Sequence, residues 1–553
     1  MDQSSSSTTT RGILTLYPDL IECIAGILPD ADRHNLGRTC QYFSLLIPHQ
    51  TCAVLSPNIH NIAAFRALAN DSIRRKEVTT IVYDDARLYR PSIDDHYHGG
   101  PAVLPEDTHD LNIGNETGVP SWYRKGYRTS LRFIKTYGHS QQQRFEVAQR
   151  FLNPLSPRES YDIYQNLGAQ QDHVIATGLD IVTLRQGLDK FPNLRRVILT
   201  PAAHGTPPIP RGWPIADIHT DQPVFHAWDN SSRTKWRGFC VVTQEIADWR
   251  EKNENACIPE FIIDCKQLRT GINCRVFDTD IMGYNQDYRN LRTIVQQPGF
   301  KRLELVLYAT EQNEAQWVSF LGRAGTDAGK GEGNLFELLS AAKDLEHFSL
   351  STNLNPTSLQ HLGNLGESGT SDEHFAPLFK FLPYTEWSNL RHFGLSRFLV
   401  NVIDLTVTLS ILPKTVRSIE LSFLMFTTST RGSDQMLLST GYSDVLQFMK
   451  ERQDLLHLEE RCKITIRVDA QQPPEEIDVS REACSYVYEG GPNPFAYSTV
   501  LEGIGVLKNA LDPDYARPNV SHAWNTWRNL RTGLGTIKRW VLSLLPFSLP
   551  TLG

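Results

Sequence analysis

Two histidines with the spacing of metal ligands are the first residues that could carry chemistry. His96 and His98 are separated by one residue and follow Asp94 and Asp95. On a β-strand, residues two apart face the same side, so both imidazoles could bind one metal ion. The surrounding segment 84–120 is rich in Asp, His, Gly and Pro, and no third histidine or cysteine lies at a recognisable spacing. We therefore interpret it as a long surface loop without a metal site.

The chain contains no motif for phosphate binding or nucleophilic catalysis. It lacks the Gly-x-x-x-x-Gly-Lys-Ser/Thr loop, the Gly-x-Gly-x-x-Gly fingerprint after a strand, and the Gly-x-Ser-x-Gly elbow. The Gly-rich stretch 329–333 has no strand before it and is interpreted as a flexible loop. Carboxylate pairs such as Glu459 and Glu460 are adjacent in polar runs, whereas paired general acids and bases usually come from separate elements. The sequence predicts no catalytic residues and no cofactor.

Composition and cysteine usage exclude further classes of protein. The chain has 553 residues, of which 40% are hydrophobic and 21% charged, so it can bury a large core. A formal charge of −7 gives no general attraction to nucleic acid or to anionic membranes. The nine cysteines include no Cys-x-x-Cys pair, which argues against a disulfide framework and a zinc ribbon.

The two ends of the chain lack targeting features. Residues 1–12 begin with a Ser/Thr run instead of a basic start and an apolar stretch, which predicts a disordered leader and no signal peptide. The apolar stretch 540–549 contains Pro546 and is too short to span a bilayer. We expect a cytoplasmic or nuclear protein that does not bind membranes.

Aromatic and basic residues alternate at 522–528 and at 538–540. Such residues could stack on nucleic-acid bases, or their tryptophans could cover the exposed end of a repeat array. We favour the second interpretation, which makes 511–553 a C-terminal capping segment and predicts no nucleic-acid partner.

An apolar helical hairpin is predicted for residues 13–52. Its first helix begins near Pro18, and Asp32 provides an N-cap for the second. Apolar residues then recur at three- and four-residue steps until Pro48 stops the second helix. Two short helices cannot hide this much apolar surface from each other, so the hairpin must dock on something.

The most informative feature is a phrase repeated along the chain from residue 179 onward. A helical segment and a short polar step are followed by Leu-x-x-apolar-x-apolar. The cleanest copy is 179–199, and later copies contain the apolar strand positions Leu303, Leu305, Leu307, Leu345, Phe348, Leu350, Leu390, Phe393, Leu395, Val416, Ile419, Leu421, Ile464, Ile466 and Val468. Phe261 to Ile263 form a degenerate copy.

Units of this kind predict an irregular α/β solenoid with parallel strands, similar to leucine-rich repeats, over 177–510. Residues 53–176 are assigned as linker helices and a long loop, with a helix over 53–75 and a strand at 78–83. The overall class is then α+β, with a small all-α block before the solenoid. A doubly wound sheet also alternates helices and strands and is the alternative architecture.

The 13–52 block resembles an F-box. The residues that carry this resemblance are Pro18, Ile21, Ile24, Leu28, Pro29, Asp32, Leu36, Cys40 and Phe43. The sequence departs from the family pattern at Tyr17, where the family usually has Leu, and at Arg33, where it usually has an aliphatic residue. The tail is similar to those of many fungal F-box proteins.

The resemblance implies a substrate receptor. The F-box would dock on the Skp-type adaptor of a cullin ubiquitin ligase through Pro18, Ile21, Ile24, Leu28, Leu36, Cys40 and Phe43. The repeat tail would present an unidentified protein target. Two alternatives remain open. One is a scaffold that has lost ligase binding, which the departure at Arg33 suggests, and the other is an α/β enzyme within 178–510.

Overall fold

The structure is a computed structural model, and it describes residues 51–88, 118–120, 123–124, 127, 156–200, 233, 236–253, 256–264, 272–277, 285–308, 333–352, 378–426, 438–452, 461–469 and 476–495. The predicted F-box-like block before residue 51, most of the 84–120 loop and the 511–553 segment lie outside these residues.

Ten strands form the main sheet. They are β1 (Thr51–Leu55), β2 (Val78–Asp84), β3 (Arg196–Thr200), β4 (Glu260–Ile263), β5 (Ile272–Asn273), β6 (Arg302–Tyr308), β7 (His347–Thr352), β8 (His392–Ser396), β10 (Ser418–Ser422) and β12 (Lys463–Thr465). Two smaller sheets pair β9 (Leu399–Val400) with β11 (Met425–Phe426), and β13 (Arg467–Asp469) with β14 (Glu476–Asp478).

Every pair of neighbouring strands in the main sheet is parallel. The order is β1-β2-β3-β4-β6-β7-β8-β10-β12, with β5 beside β6, so each strand of this path lies next to the one that precedes it along the chain. A doubly wound sheet reverses its strand order at a switch point, and the described strands show no such reversal. The described chain is therefore a mixed α/β protein built on a large, all-parallel sheet.

Nine helices accompany the sheet within the described ranges. They are α1 (Ile59–Asn70), α2 (Pro157–Thr177), α3 (Leu179–Lys190), α4 (Arg237–Lys252), α5 (Gln286–Val295), α6 (Asn334–Ala341), α7 (Val402–Ile411), α8 (Leu438–Glu451) and α9 (Ser480–Glu489). Single 3₁₀ turns lie at Arg74–Lys76, Cys274–Phe277, Leu378–Lys380 and Tyr384–Glu386. None of the helices so described is long and apolar enough to cross a membrane.

The helices follow the order of the strands. α1 packs on α3, α3 on α4, α4 on α5 and α5 on α6, and farther along α7 packs on α8 and α8 on α9. We call these eight helices the helix layer. Several begin at a side-chain cap: Asn58, Asn285 and Asn401 accept hydrogen bonds from the first turns of α1, α5 and α7.

Burial alternates along the central strands. In β6, Leu303, Leu305 and Leu307 are buried, whereas the residues between them are partly exposed. The strand register places buried residues side by side across the sheet: Ala53, Ile81, Val197, Phe261, Leu303, Phe348, Phe393, Ile419 and Ile464. Burial of each Val, Ile, Leu or Phe side chain in this row contributes roughly 1.5–3 kcal/mol. This row is the core, and the opposite side of the sheet is partly solvated.

The repeated phrase correctly located the later strands. β3, β4, β6, β7, β8, β10 and β12 all lie at its copies, and Leu345 and Leu390 are buried two residues before their strands begin. The last copy was wrong as one parallel strand: Ile464 lies in β12, but Val468 lies in β13, which pairs antiparallel with β14 in a separate sheet. The helix expected over 53–75 was wrong at its start. Thr51–Leu55 is a strand paired with β2, and the helix begins only after Pro57, at the Asn58 cap. The main sheet thus includes two strands from the segment assigned as a linker.

Candidate functional site

The candidate site is the side of the main sheet opposite the core, which we call the open face. One row of polar side chains crosses it in register: Arg196, Glu260, Arg302, His347, His392, Ser418 and Lys463. We call these seven residues the polar row. Adjacent strands lie about 4.8 Å apart, so the row spans about 30 Å. It is a direct consequence of strand alternation, because each member immediately precedes a residue of the buried row.

Opposite charges pair along and beside the polar row. Arg196 Nε donates to Glu260 Oε2 of the next strand at 2.6 Å. On β6, Arg302 Nε donates to Glu304 Oε1 at 2.7 Å. His347 Nε2 lies 3.1 Å from the same carboxylate oxygen. Glu304 therefore joins two neighbouring strands through one acceptor.

The two histidines of the polar row stack on each other. Their ring centroids are 4.0 Å apart, and the planes differ by 14°. Burial, together with the neighbouring His347 and Arg302, lowers the pKa of His392 to about 4. Burial would raise the pKa of Glu304, but the hydrogen bond from His347 and the charge of Arg302 outweigh it and lower the pKa to about 2. At neutral pH the cluster therefore holds a carboxylate, a guanidinium and a neutral His392 imidazole.

Gly394 allows polar atoms to converge on the open face of β8. A methyl group at this glycine would lie 2.7 Å from Ser349 Oγ and 3.1 Å from His392 Nε2. The absence of a side chain thus leaves room for a hydroxyl and an imidazole nitrogen above the strand. Together with the Glu304 cluster, they offer hydrogen-bond donors and acceptors to a partner laid across the sheet. Among the described residues, no group of three or more His, Cys, Asp or Glu could hold a metal ion.

Left-handed residues follow β8 and β10 at the edge of the open face. Arg397 and Phe423 have φ angles of 56° and 55°, which non-glycine residues rarely adopt. Strict alternation would direct Arg397 toward the core, since Ser396 before it faces outward. The left-handed backbone keeps it partly exposed, with its guanidinium carbon 4.3 Å from the centroid of the Phe423 ring. The left-handed turns thus place a cation beside an aromatic ring directly after β8 and β10.

A second group of polar residues is buried in the helix layer. Tyr83 donates to Asp180 Oδ2 at 2.7 Å, and Arg237 donates to Asp180 Oδ1 at 3.0 Å. Burial would raise the pKa of Asp180, but hydrogen bonds from Arg237 and Tyr83 outweigh it and lower the pKa. Asp180 is fully buried, and its partners bind it from β2 and α4. This group therefore holds elements together and has no exposed acceptor to offer a ligand.

Two more ion pairs cross the same layer. Arg185 on α3 binds Glu245 on α4 at 2.8 Å, and Arg233 binds Asp287 on α5 at 3.2 Å. Both carboxylates are almost fully buried. The first pair links α3 to α4, and the second links the segment before α4 to α5, as is typical of structural contacts.

The residues predicted to bind an adaptor all lie outside the described part of the chain. This holds for Pro18, Ile21, Ile24, Leu28, Leu36, Cys40 and Phe43. The His96–His98 pair and the aromatic and basic segments at 522–528 and 538–540 also lie outside it. Predictions made for these residues remain predictions.

Sequence reasoning did not identify the polar row, although a signal was present. His347 and His392 occupy the same place in two copies of the repeated phrase, directly before Phe348 and Phe393. Aligning the copies by their apolar positions would have placed the two imidazoles side by side. No protein-family model matches this chain, and neither does any curated protein.

Proposed function

We propose that the protein is an F-box type substrate receptor whose open face binds a protein target. The observation that carries the proposal is the polar row, which lies in register across seven strands on the side opposite the core. A broad polar surface of about 30 Å suits the side chains of another protein better than a small molecule, which binds in concave, mostly apolar sites.

The architecture that we propose for this domain is an irregular solenoid similar to leucine-rich repeats. Three observations support it: strand order follows chain order, helix order follows strand order, and the core is a ladder of equivalent apolar residues. Each strand and helix then buries its apolar side only against its neighbours, as in repeat proteins. The sheet side away from the helices is left available for binding.

The second half of the proposal concerns the ligase. The F-box resemblance of residues 13–52 supports docking on a Skp-type adaptor and, through it, on a cullin, in the cytoplasm or nucleus. Residue 52 lies in β1, the first strand of the sheet, so a docked adaptor would be held at one end of the array. The polar row would then carry the target at a fixed distance from the ligase.

Two single variants of the full chain separate the two binding events. Leu36→Asp places a charge at a predicted adaptor contact and should weaken binding to purified adaptor by more than about tenfold, because burial of one such side chain is worth roughly 1.5–3 kcal/mol. Ser351→Arg places a long side chain on the open face and should abolish target capture under proteasome inhibition while leaving adaptor binding intact. Ser388→Arg, at an exposed turn before β8, is the matched control and should change neither.

The outcomes discriminate between the alternatives. If wild type captures a target through the open face but no adaptor, the protein is a scaffold. If Leu36→Asp binds the adaptor as well as wild type, the F-box assignment is wrong. If Ser351→Arg captures the same proteins as Ser388→Arg, the open face does not bind the target.

A further inference from the structure

Exposed cations lie at the amino ends of three neighbouring strands of the main sheet. Arg391 immediately precedes β8, Arg417 immediately precedes β10, and Lys463 is the first residue of β12. The backbone N–H of Arg417 donates to the carbonyl oxygen of Arg391 at 2.7 Å, and that of Lys463 donates to the carbonyl oxygen of Arg417 at 2.9 Å. The three residues are therefore direct neighbours and span about 10 Å, or two strand spacings. We call Arg391, Arg417 and Lys463 the basic rim.

The first cation of the basic rim shares a carboxylate with another cation. Arg391 Nε lies 3.6 Å from Glu346 Oε2, whereas Lys301 Nζ lies 2.7 Å from Glu346 Oε1. The side chain of Arg391 is 71% exposed. Water screens an exposed pair at this distance, so it contributes little. Arg391 is therefore available to a second carboxylate.

The other two cations have no carboxylate partner. The guanidinium of Arg417 donates to the backbone carbonyl oxygens of Lys414 and Val416, at 2.9 and 3.3 Å. In the part of the chain that the structure describes, neither Arg417 nor Lys463 forms an ion pair. Their charges are neutralised only by solvent and its counterions.

Two carboxylates on the same or adjoining elements bind other groups instead. Glu420 on β10 accepts a hydrogen bond from Ser422 Oγ at 3.0 Å. On α9, which packs against β12, Glu489 forms an ion pair of 3.1 Å with Arg461. Neither carboxylate neutralises the basic rim.

The positive potential of the rim reaches the open face. Burial, the neighbouring His347 and the charges of Arg302 and Lys463 together outweigh the charge of Glu304 and lower the pKa of His392 to about 4. Lys463 therefore acts electrostatically on a residue two strands away in the polar row. A partner on the open face would meet this potential as well.

We propose that the basic rim binds an acidic segment of the target protein by pairing with its Asp and Glu carboxylates. The rim would bind the same target as the open face, so its role rests on the proposed function. Charge complementarity identifies this partner, because the rim is cationic although the whole chain carries a formal charge of −7. Three or four residues of an extended segment cover about 10 Å, so one short acidic run reaches all three cations.

Binding of a fluorescent hexaglutamate peptide to the full chain tests this chemistry. Arg417→Gln with Lys463→Gln removes the two cations that lack a partner and should weaken binding at least about fivefold, measured by fluorescence anisotropy. Lys76→Gln with Lys252→Gln is the matched control, because it removes two exposed cations that precede β2 and β4, and it should leave binding unchanged. Both double variants change the net charge equally. Arg391→Gln with Lys463→Gln replaces the first variant if its circular dichroism differs from wild type.

Ionic strength provides a second measurement. Raising it from about 0.1 M to about 1 M shortens the screening length from about 10 Å to about 3 Å. The affinity of wild type for hexaglutamate should fall more steeply over this range than that of the Arg417→Gln, Lys463→Gln variant. Equal salt dependence in the two proteins would mean that the basic rim does not bind the peptide.

Target capture under proteasome inhibition separates this proposal from the proposed function. The Arg417→Gln, Lys463→Gln variant should capture at least about fivefold less target than the Lys76→Gln, Lys252→Gln control. If the two capture equal amounts while Ser351→Arg captures none, the rim proposal fails and the proposed function stands. If Ser351→Arg also captures as much as wild type, the proposed function fails with it. Rim-dependent binding of duplex DNA, without binding of hexaglutamate, would assign the rim to nucleic acid and overturn the proposal.

Discussion

Carboxylates bind arginines in two regions of this protein, and the two regions differ in how deeply the carboxylate is buried. On the open face, Glu304 is bound by Arg302 and His347, and a quarter of its side chain remains exposed. In the helix layer, Asp180 is bound by Arg237 and Tyr83 and is fully buried. Pairs that solvent reaches contribute less to stability than fully buried ones, in which removing one partner leaves an uncompensated charge. The comparison predicts that the ion pairs of the helix layer contribute more to stability, whereas the open face keeps exposed charges for the target binding that we propose.

Breaking the buried group should have the largest effect. Asp180→Asn removes the charge that neutralises Arg237 and should lower the free energy of unfolding by about 3–5 kcal/mol. Urea denaturation of the full chain would measure this loss. Asp162→Asn is the control, because Asp162 forms an ion pair of 3.2 Å with Arg158 in which both side chains are about half exposed. The control should change stability by less than about 1 kcal/mol.

A small effect of Asp180→Asn would contradict the comparison. Equal losses in the buried and exposed variants would mean that solvent reaches the Asp180 group. The helix layer would then not differ from the open face in its electrostatics.

Acid should lower the stability of the folded protein through His392 on the open face. Its pKa is lowered from 6.5 to about 4 in the folded protein. Between these values the unfolded chain binds a proton that the folded chain does not, so the contribution of His392 to stability falls as the pH decreases from 6.5 to 4 and changes no further below 4. From pH 7.5 to pH 5, His392 should account for a loss of about 2 kcal/mol. Glu304 adds a separate loss at lower pH, because its pKa falls from 4.5 to about 2.

Urea denaturation at pH 7.5, 6 and 5 measures this dependence. The slope of stability against pH reports the number of protons that the chain takes up on unfolding. His392→Gln should reduce this number by about one between pH 6 and pH 5. The matched control is His60→Gln on α1, whose histidine is exposed. A wild-type slope in His392→Gln would show that the stacked imidazole pair is not the acid-sensitive group of the open face.

Local patterns in the sequence were sufficient to predict the core but not the open face. The period-two spacing of Leu303, Leu305 and Leu307 identified β6 from seven consecutive residues. Predicting the polar row requires knowing how strands that are far apart in the chain align with one another. A local sequence pattern does not contain this information. Asp180 and Arg237 are likewise 57 residues apart, and only folding brings them together.

The edge strand β1 was missed for a related reason. Its five residues, Thr51–Leu55, are too few to distinguish a strand from the helix that follows them. The partner that makes this segment a strand, β2, begins only at Val78. Pro57 and the Asn58 cap were the available signals for a later helix start.

Two glycines, one in each region, allow the effect of a single added methyl group to be compared between the helix layer and the open face. A methyl group at Gly187 on α3 would lie 2.5 and 2.6 Å from ring atoms of Phe65, which is buried and packs edge-on against Phe191. Gly187→Ala should therefore cost about 1–3 kcal/mol, despite the better helix propensity of alanine, because the core cannot yield. Gly394→Ala on the open face should cost less than about 1 kcal/mol, because the obstructing Ser349 hydroxyl can rotate into solvent.

Urea denaturation of both variants checks the difference, and a second substitution checks its cause. Adding Ser349→Ala to Gly394→Ala removes the oxygen that would lie 2.7 Å from the new methyl group and should restore the stability of the Ser349→Ala single variant. Adding Phe65→Leu to Gly187→Ala should recover only part of the loss, since shortening a buried ring creates a cavity of its own. If Gly394→Ala costs as much as Gly187→Ala, the open face is packed as rigidly as the core and cannot adapt its side chains to a partner.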